Sequence, residues 1–210
     1  MKPVSFALTI AAVLTAVSTA NAWLGDSEDA LTHRYGKPKV VQLTNGDIPT
    51  QKGYYAELKE TYGTNVSLIA STDKGYNMDL VENRKRYMFL KDGLGITVYV
   101  GLADEKYDGI DFAGKSAREV IACPVVPMKD KYGDKIGHPV AFLPAVINTI
   151  LDDNKGDSTW PDVWHSIPLP GTYIKRTLDK SRIAIAYGVS ENEIYRIDVQ
   201  MVDDATKSLN

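Results

Sequence analysis

Short runs of hydrophobic residues alternate with polar clusters along most of the chain, and this pattern predicts strands rather than long helices. The clearest pair is YMFL at 87–90 and ITVYV at 96–100, separated by Lys91, Asp92 and Gly93. An Asp-Gly turn between two apolar runs is a strong β-hairpin signal. Residues 44–86 hold shorter apolar pieces between turn residues. They predict a meander of short antiparallel strands.

Two segments have helical periodicity instead. GDSEDALTHRYGKP (residues 25–38) has Asp26 or Ser27 as a helix cap and Gly36 for the left-handed position after the last turn. A second helix is predicted at 145–151, where the apolar residues 143, 146, 147, 150 and 151 share one face. Helices combined with meandering strands predict an α+β fold.

An internal similarity adds a domain prediction. At a constant offset of 87 residues, 92–112 aligns without gaps to 179–199 with five identities in 21 positions. The alignment predicts two short helix-plus-antiparallel-sheet units in a pseudo-repeat, at 23–123 and 124–210, within one compact body. Two unrelated hairpins that share turn residues are the alternative interpretation.

The segment 25–38 also carries a family resemblance. The phrase G-D-S-E-D-A-L-x-x-R-Y-G-K-P, followed by strands, resembles the helix opening of BamE-like (SmpA/OmlA type) envelope proteins and of many uncharacterised bacterial secreted proteins. The resemblance implies a small α+β scaffold used in protein contacts. The chain departs from that family in its length, in its second half and in lacking the Cys that carries the lipid.

The beginning of the chain predicts export. Lys2 precedes an apolar run at 4–17, and the small residues Ala20 and Ala22 bracket a cleavable bond. We therefore expect a signal peptide at 1–22, a mature chain beginning at Trp23, and a periplasmic or secreted location. The apolar run is shorter than the roughly 20 residues of a membrane span, so no transmembrane segment is expected after cleavage. An uncleaved N-terminal anchor is the alternative.

Composition excludes several classes of function. The formal net charge of −3 argues against a general affinity for nucleic acid, which requires clustered Lys and Arg. Cys123 is the sole cysteine and is expected to be a buried small hydrophobe. The three histidines (His33, His138 and His165) are too scattered for a zinc site. We predict no metal and no cofactor.

Residues 109–116, GIDFAGKS, match the nucleotide-binding pattern G-x-x-x-x-G-K-[ST]. That pattern functions only between a strand and a helix, and three acids lie just before it at 103–108, where they would repel a triphosphate. We interpret the match as a turn that leaves a strand, with Ser116 capping a short helix that extends to Ile121.

The candidate binding site is the proline-punctuated loop 158–173, which contains Trp160, Trp164, His165 and Tyr173. Loop aromatics can stack on sugars or anchor a partner protein, although both tryptophans could instead fill the core beside the second helix. No catalytic residues are predicted. The sequence therefore predicts a non-catalytic binding or scaffolding protein of the bacterial envelope, whose partner is an envelope protein or glycan. A carbohydrate-binding module and a hydrolase with titratable groups converging in a cleft are the alternatives.

Overall fold

The computed structural model describes residues 24–42, 85–101, 106–107, 109–129, 132 and 135–202. Within them, two helices accompany a large antiparallel sheet, so the α+β class is confirmed. The signal peptide predicted at 1–22 and the part of the predicted meander at 44–84 lie outside the described residues. The helices are α1 (Glu28–Tyr35) and α2 (Pro144–Asp153); the strands are β1 (Lys39–Gln42), β2 (Lys85–Lys91), β3 (Leu94–Val100), β4 (Lys106–Tyr107), β5 (Ile110–Asp111), β6 (Ser116–Ala122), β7 (Val125–Lys129), β8 (Lys135–Pro139), β9 (His165–Ser166), β10 (Thr172–Arg176), β11 (Arg182–Gly188) and β12 (Ile194–Met201).

Eight strands form the main sheet, in the order β1-β2-β3-β6-β12-β11-β10-β9. Each neighbouring pair is antiparallel. The central strands β6 and β12 come from the two predicted units, so one continuous sheet runs through both. The strands β4–β5 and β7–β8 form separate two-stranded hairpins.

The predicted β2–β3 hairpin is confirmed. Its turn consists of Asp92 and Gly93, with φ of 51° and 78°. Two successive residues with positive φ match the right-handed twist of the flanking strands, and Asp and Gly are the residues that adopt this conformation most readily.

Both predicted helices are present. Ser27 caps α1, since its hydroxyl accepts from the Ala30 amide, and Gly36 follows the helix with φ of 86°. The second helix is longer than predicted, beginning at Pro144, which needs no amide donor at this position. Four of the five predicted face residues are buried (Val146, Ile147, Ile150 and Leu151), whereas Leu143 is the N-cap and is 40% exposed.

The core lies on the sheet face that contacts the two helices. Leu31 of α1 and Ile150 of α2 are at most 2% exposed, as are Ile96 and Ile121 of the sheet. Burying a side chain of this size contributes about 1.5–3 kcal/mol relative to leaving it in water. Cys123 is 2% exposed and free, so its predicted role as a small buried hydrophobe is confirmed.

The short helix predicted after Ser116 is wrong. Residues 116–122 form β6, which pairs with β3 on one side and β12 on the other. Pairing along both edges outweighs the local capping signal, because a central strand satisfies its backbone groups completely. A nucleotide-binding loop needs a helix N-terminus at this point, and a strand stands there instead.

The sheet also shows where the 87-residue offset works and where it does not. The offset places β3 on β11, and these strands occupy equivalent positions in the two halves of the sheet. It places Ile110 and Asp111 of β5 on β12, whereas the position equivalent to β12 belongs to β6. A single constant offset therefore does not describe both halves.

Candidate functional site

The predicted binding loop leaves the end of α2 and crosses to the sheet edge at β9. Trp160 is partly buried against the core, and its indole Nε1 donates a 2.6 Å hydrogen bond to the Leu151 carbonyl. Carbonyls in the last turn of a helix have no partner within the helix. The Trp160 side chain therefore fixes the start of the loop to the end of α2.

A second contact holds the middle of the loop. The Lys175 ammonium lies 5.0 Å from the centre of the Trp164 ring and donates a 2.9 Å hydrogen bond to the Asp162 carbonyl. Lys175 is 7% exposed, and burial lowers the pKa of its ammonium. An ammonium desolvated over an indole is held by the ring's negative face as well as by the carbonyl.

The remaining two predicted residues lie on neighbouring strands. Tyr173 pairs with Ser166 and packs its partly buried ring against the core, whereas the exposed His165 pairs with Ile174 in the edge strand β9. The structure thus brings Trp164, His165 and Tyr173 to one end of the sheet. Trp160 stands apart from them, beneath the end of α2.

Two exposed apolar residues lie on the turns beside this loop, and we call them the turn patch. They are Leu169 and Val189, with exposed fractions of 61% and 67%. The patch escaped sequence reasoning because each residue is a single apolar position in a polar, proline-rich or acidic loop. Leu169 between two prolines, which hold the side chain on a turn, was the one signal available.

Two glycines bring Leu169 and Val189 into neighbouring turns. The Gly188 amide donates a 2.9 Å hydrogen bond to the Gly171 carbonyl. Gly171 has a φ of 68°, and a Cβ at this position would come within 2.5 Å of the Gly188 carbonyl oxygen. Only glycine permits this approach without a shift of the backbone.

Carboxylates form the charged rim of the turn patch. Glu191 and Glu193 are exposed on the same turn as Val189, and the segments 168–173 and 189–194 contain neither Lys nor Arg. The turn patch is therefore an apolar surface with an acidic border.

A separate set of polar side chains, five of them titratable, meets where α1 and the end of α2 approach β6, and we call it the polar cluster: Asp26, Arg34, Tyr35, Glu119, Asp153 and Asn154. Glu119 is 2% exposed, and its Oε1 accepts a 2.7 Å hydrogen bond from the Tyr35 hydroxyl. Burial raises the pKa of Glu119 to about 7, although the Tyr35 hydroxyl and the Arg34 guanidinium act to lower it.

Two further acids, Asp26 and Asp153, interact with the positive charge of the Arg34 guanidinium. Asp26 forms an ion pair with Arg34, and Asp153 lies within electrostatic range of the same guanidinium. Burial raises the pKa of Asp26, and it raises that of Asp153 to about 6. Sequence reasoning missed this cluster because its members are up to 128 residues apart and none forms a local motif.

In the part of the chain that the structure describes, no three His, Cys, Asp or Glu side chains are placed to hold a metal ion. None of the described helices is long and apolar enough to cross a membrane. No protein-family model, no curated protein and no solved structure matches this chain. The likeness of residues 25–38 to the BamE-like opening therefore stays a prediction.

Proposed function

We propose that the chain is an exported, non-catalytic binding protein of the bacterial envelope that holds a protein partner through the turn patch. The observation that carries the proposal is the exposure of Leu169 and Val189, each above 60%, on neighbouring turns joined by the Gly188–Gly171 hydrogen bond. Apolar side chains grouped on an otherwise polar surface mark interaction sites. Binding of a partner should cost little conformational entropy in these turns, because they are already held in place.

The surroundings of the turn patch indicate the chemistry of the partner. The carboxylates of Glu191 and Glu193 would attract Lys or Arg and repel acidic chains. We therefore expect a polypeptide segment with apolar side chains that fill the patch and basic residues beside them. The Trp164 ring, held by Lys175, provides a rigid support at the edge of this surface.

Two observations favour a protein partner over the alternatives. Titratable groups do converge at the polar cluster, but Glu119 and Tyr35 are 2% and 5% exposed, so a hydrolase substrate has no access to them. Sugar stacking needs an open aromatic face, yet Lys175 covers one face of Trp164 and both tryptophans pack against the core. The loop tryptophans therefore pack beneath the proposed binding surface and contribute little exposed aromatic area to it.

The proposal also includes export of the chain and its internal pseudo-repeat. Export depends on the signal peptide predicted at 1–22. The pseudo-repeat is supported by strand order, because β1-β2-β3-β6 and β9-β10-β11-β12 each run from an edge to the centre of the sheet and each set follows one helix. A repeat of this kind would use an insertion before β6, which explains the failure of the constant offset.

Selection from a random peptide library on phage tests the proposed binding. The immobilised proteins are the wild type, a Leu169→Ser/Val189→Ser variant and a Leu178→Ser control. Leu178 is 74% exposed but lies beyond the opposite end of β10, so its replacement removes apolar surface without touching the patch. Wild type and control should enrich apolar peptides that carry Lys or Arg, and the patch variant should not.

Two results would overturn the proposal. Enrichment of the same peptides by the patch variant would place binding elsewhere on the chain. Quenching of tryptophan fluorescence by soluble glycans, together with no peptide enrichment, would favour the carbohydrate-binding alternative.

A further inference from the structure

Glu119 places an ionisable group in the middle of the core face of the sheet. It belongs to β6, and its paired neighbours are Val98 of β3 and Val199 of β12. All three residues are at most 2% exposed. A carboxylate in such surroundings is strongly disfavoured unless it is compensated, so its protonation state affects whatever packs against it.

The residues that pack against Glu119 belong to residues 24–36, at the start of the first described segment, and to the end of α2. Tyr35 of α1 donates to Glu119 Oε1, and its ring centre lies 4.9 Å from that of Phe89, with the two rings tilted by 47°. Asn154 lies close enough to affect the titration of Glu119, and its Oδ1 accepts a 2.9 Å hydrogen bond from the Leu24 amide. Both ends of the segment therefore contact the surroundings of this carboxyl.

Compensation for a charge on Glu119 is limited. The charged or titratable groups that act on it are Arg34, Tyr35 and Asp26, and Asn154 adds an amide. Arg34 already pairs with Asp26 and also interacts with Asp153. When all three acids are ionised, one guanidinium faces three carboxylates, a net charge of −2 within the cluster.

The second carboxyl oxygen of Glu119 also has little to stabilise a negative charge. Glu119 Oε2 is buried and has no hydrogen-bond partner of good geometry among the described residues, and the Asn154 amide is the one further donor that acts on this carboxyl, where it lowers the pKa. An ionised carboxylate needs several donors to replace water, whereas a neutral carboxylic acid needs fewer. The arrangement accordingly fits the protonated acid better than the carboxylate.

We propose that residues 24–36 form a proton-controlled latch, which is seated on the sheet while Glu119 carries a proton and loosens when that proton is lost. The attachments that remain are the pair of backbone bonds with Ser116 (Gly25 N to Ser116 O, 2.7 Å; Ser116 N to Asp26 O, 2.8 Å) and the ion pair of Glu28 with Lys85 at 3.2 Å. Release is thus partial: α1 loosens around a retained anchor at the start of β6.

The direction of the pH effect follows from linkage. The pKa of Glu119 is raised to about 7 in the seated state, from 4.5 when the carboxyl is in water. The seated state therefore binds the proton more tightly, and its advantage is complete below pH 4.5 and is lost as the pH rises through 7. These two values give a change of about 30-fold in the opening equilibrium between about pH 5.5 and 8.5.

Hydrogen exchange measured by mass spectrometry tests the latch on the full chain. Exchange of amides in 24–36 is compared with that in β11 and β12 at about pH 5.5 and 8.5, after correction for the intrinsic exchange rates. In the wild type, protection of 24–36 should fall about 30-fold while the strands stay within a few-fold. The Glu119→Gln variant keeps an acceptor for Tyr35 and should hold the segment equally at both pH values. Asp29→Asn, on the exposed side of α1, is the matched control and should behave as the wild type.

Two outcomes would overturn the latch: constant protection of 24–36 across this pH range in the wild type, or an unchanged pH response in Glu119→Gln. If the Gln variant does not fold, infrared difference spectra of the wild type provide a second measurement. They should show the carbonyl band of one buried protonated carboxyl that disappears over the same pH interval as protection is lost. Loss of protection without that band would also refute the latch.

Discussion

The ion pair between Arg118 of β6 and Asp198 of β12 should be the most sensitive polar contact in the centre of the sheet. Asp198 is fully buried and receives two hydrogen bonds from the guanidinium: Arg118 Nε donates to Oδ1 at 2.8 Å, and Nη2 donates to Oδ2. The Arg118 side chain is 17% exposed and stacks 5.4 Å from the Tyr99 ring centre. The two partners are therefore unequally shielded from water.

The difference in burial between Asp198 and Arg118 determines how much stability each substitution should remove. Arg118→Met leaves a carboxylate with no access to water, which should lower the free energy of unfolding by about 3–5 kcal/mol. Asp198→Asn leaves a guanidinium that reaches water, so the loss should be smaller, about 1.5–3 kcal/mol. For a chain of this size the larger loss corresponds to a fall in Tm of about 6–20 °C.

Urea unfolding followed by circular dichroism measures both variants and the Arg118→Met/Asp198→Asn double variant. Because the partners act as a unit, the double variant should lose less than the sum of the single losses. Lys155→Met removes a pair with Asp152 whose side chains are 41% and 67% exposed, and it should change stability by less than about 1 kcal/mol. Additive losses, or an Arg118→Met loss no larger than that of Lys155→Met, would refute this reasoning.

Three further predictions concern the buried acid, the loop and the turns. Since the raised pKa of Glu119 makes the folded state bind the proton more tightly, this residue should lower wild-type stability by about 2–3 kcal/mol from about pH 5 to 8.5, and Glu119→Gln should remove that share of the fall in urea titrations while the smaller share of Asp153 remains. Trp160→Phe removes the only indole donor to the Leu151 carbonyl recorded among the described residues and should cost about 1–2 kcal/mol, measured by the urea midpoint. Gly171→Ala puts a Cβ 2.5 Å from the Gly188 oxygen at a φ of 68°, so it should cost about 2 kcal/mol or more in thermal unfolding and weaken peptide binding. For each of the three variants, an unfolding transition identical to that of the wild type would contradict the contribution assigned to the substituted residue.

Local signals account for the elements that were predicted correctly. Asp92 and Gly93 specify their turn through backbone conformation alone, and Ser27 with Gly36 marks both ends of α1 within ten residues. The apolar face of α2 repeats at helical spacing. In each case the determinant lies within the element itself, so one stretch of sequence is sufficient.

The parts that sequence did not reveal depend on distant residues. The local sequence indicates that Ser116 is a helix cap, but its segment is a strand because it pairs with β3 on one side and β12 on the other. Glu119 gives no local sign that it will meet Tyr35, which is 84 residues away. The turn patch also arises from contact between separate turns, through the Gly188–Gly171 hydrogen bond. Long-range pairing decided these features, and a single sequence contains no record of such pairing.

The binding of one selected basic-apolar peptide by isothermal titration calorimetry tests the proposed function most directly. Wild type and Leu178→Ser should bind with Kd values within about twofold, and Leu169→Ser/Val189→Ser should bind at least about tenfold more weakly, since tenfold requires only about 1.4 kcal/mol. Equal affinity for all three proteins would contradict the proposal that the turn patch is the binding surface.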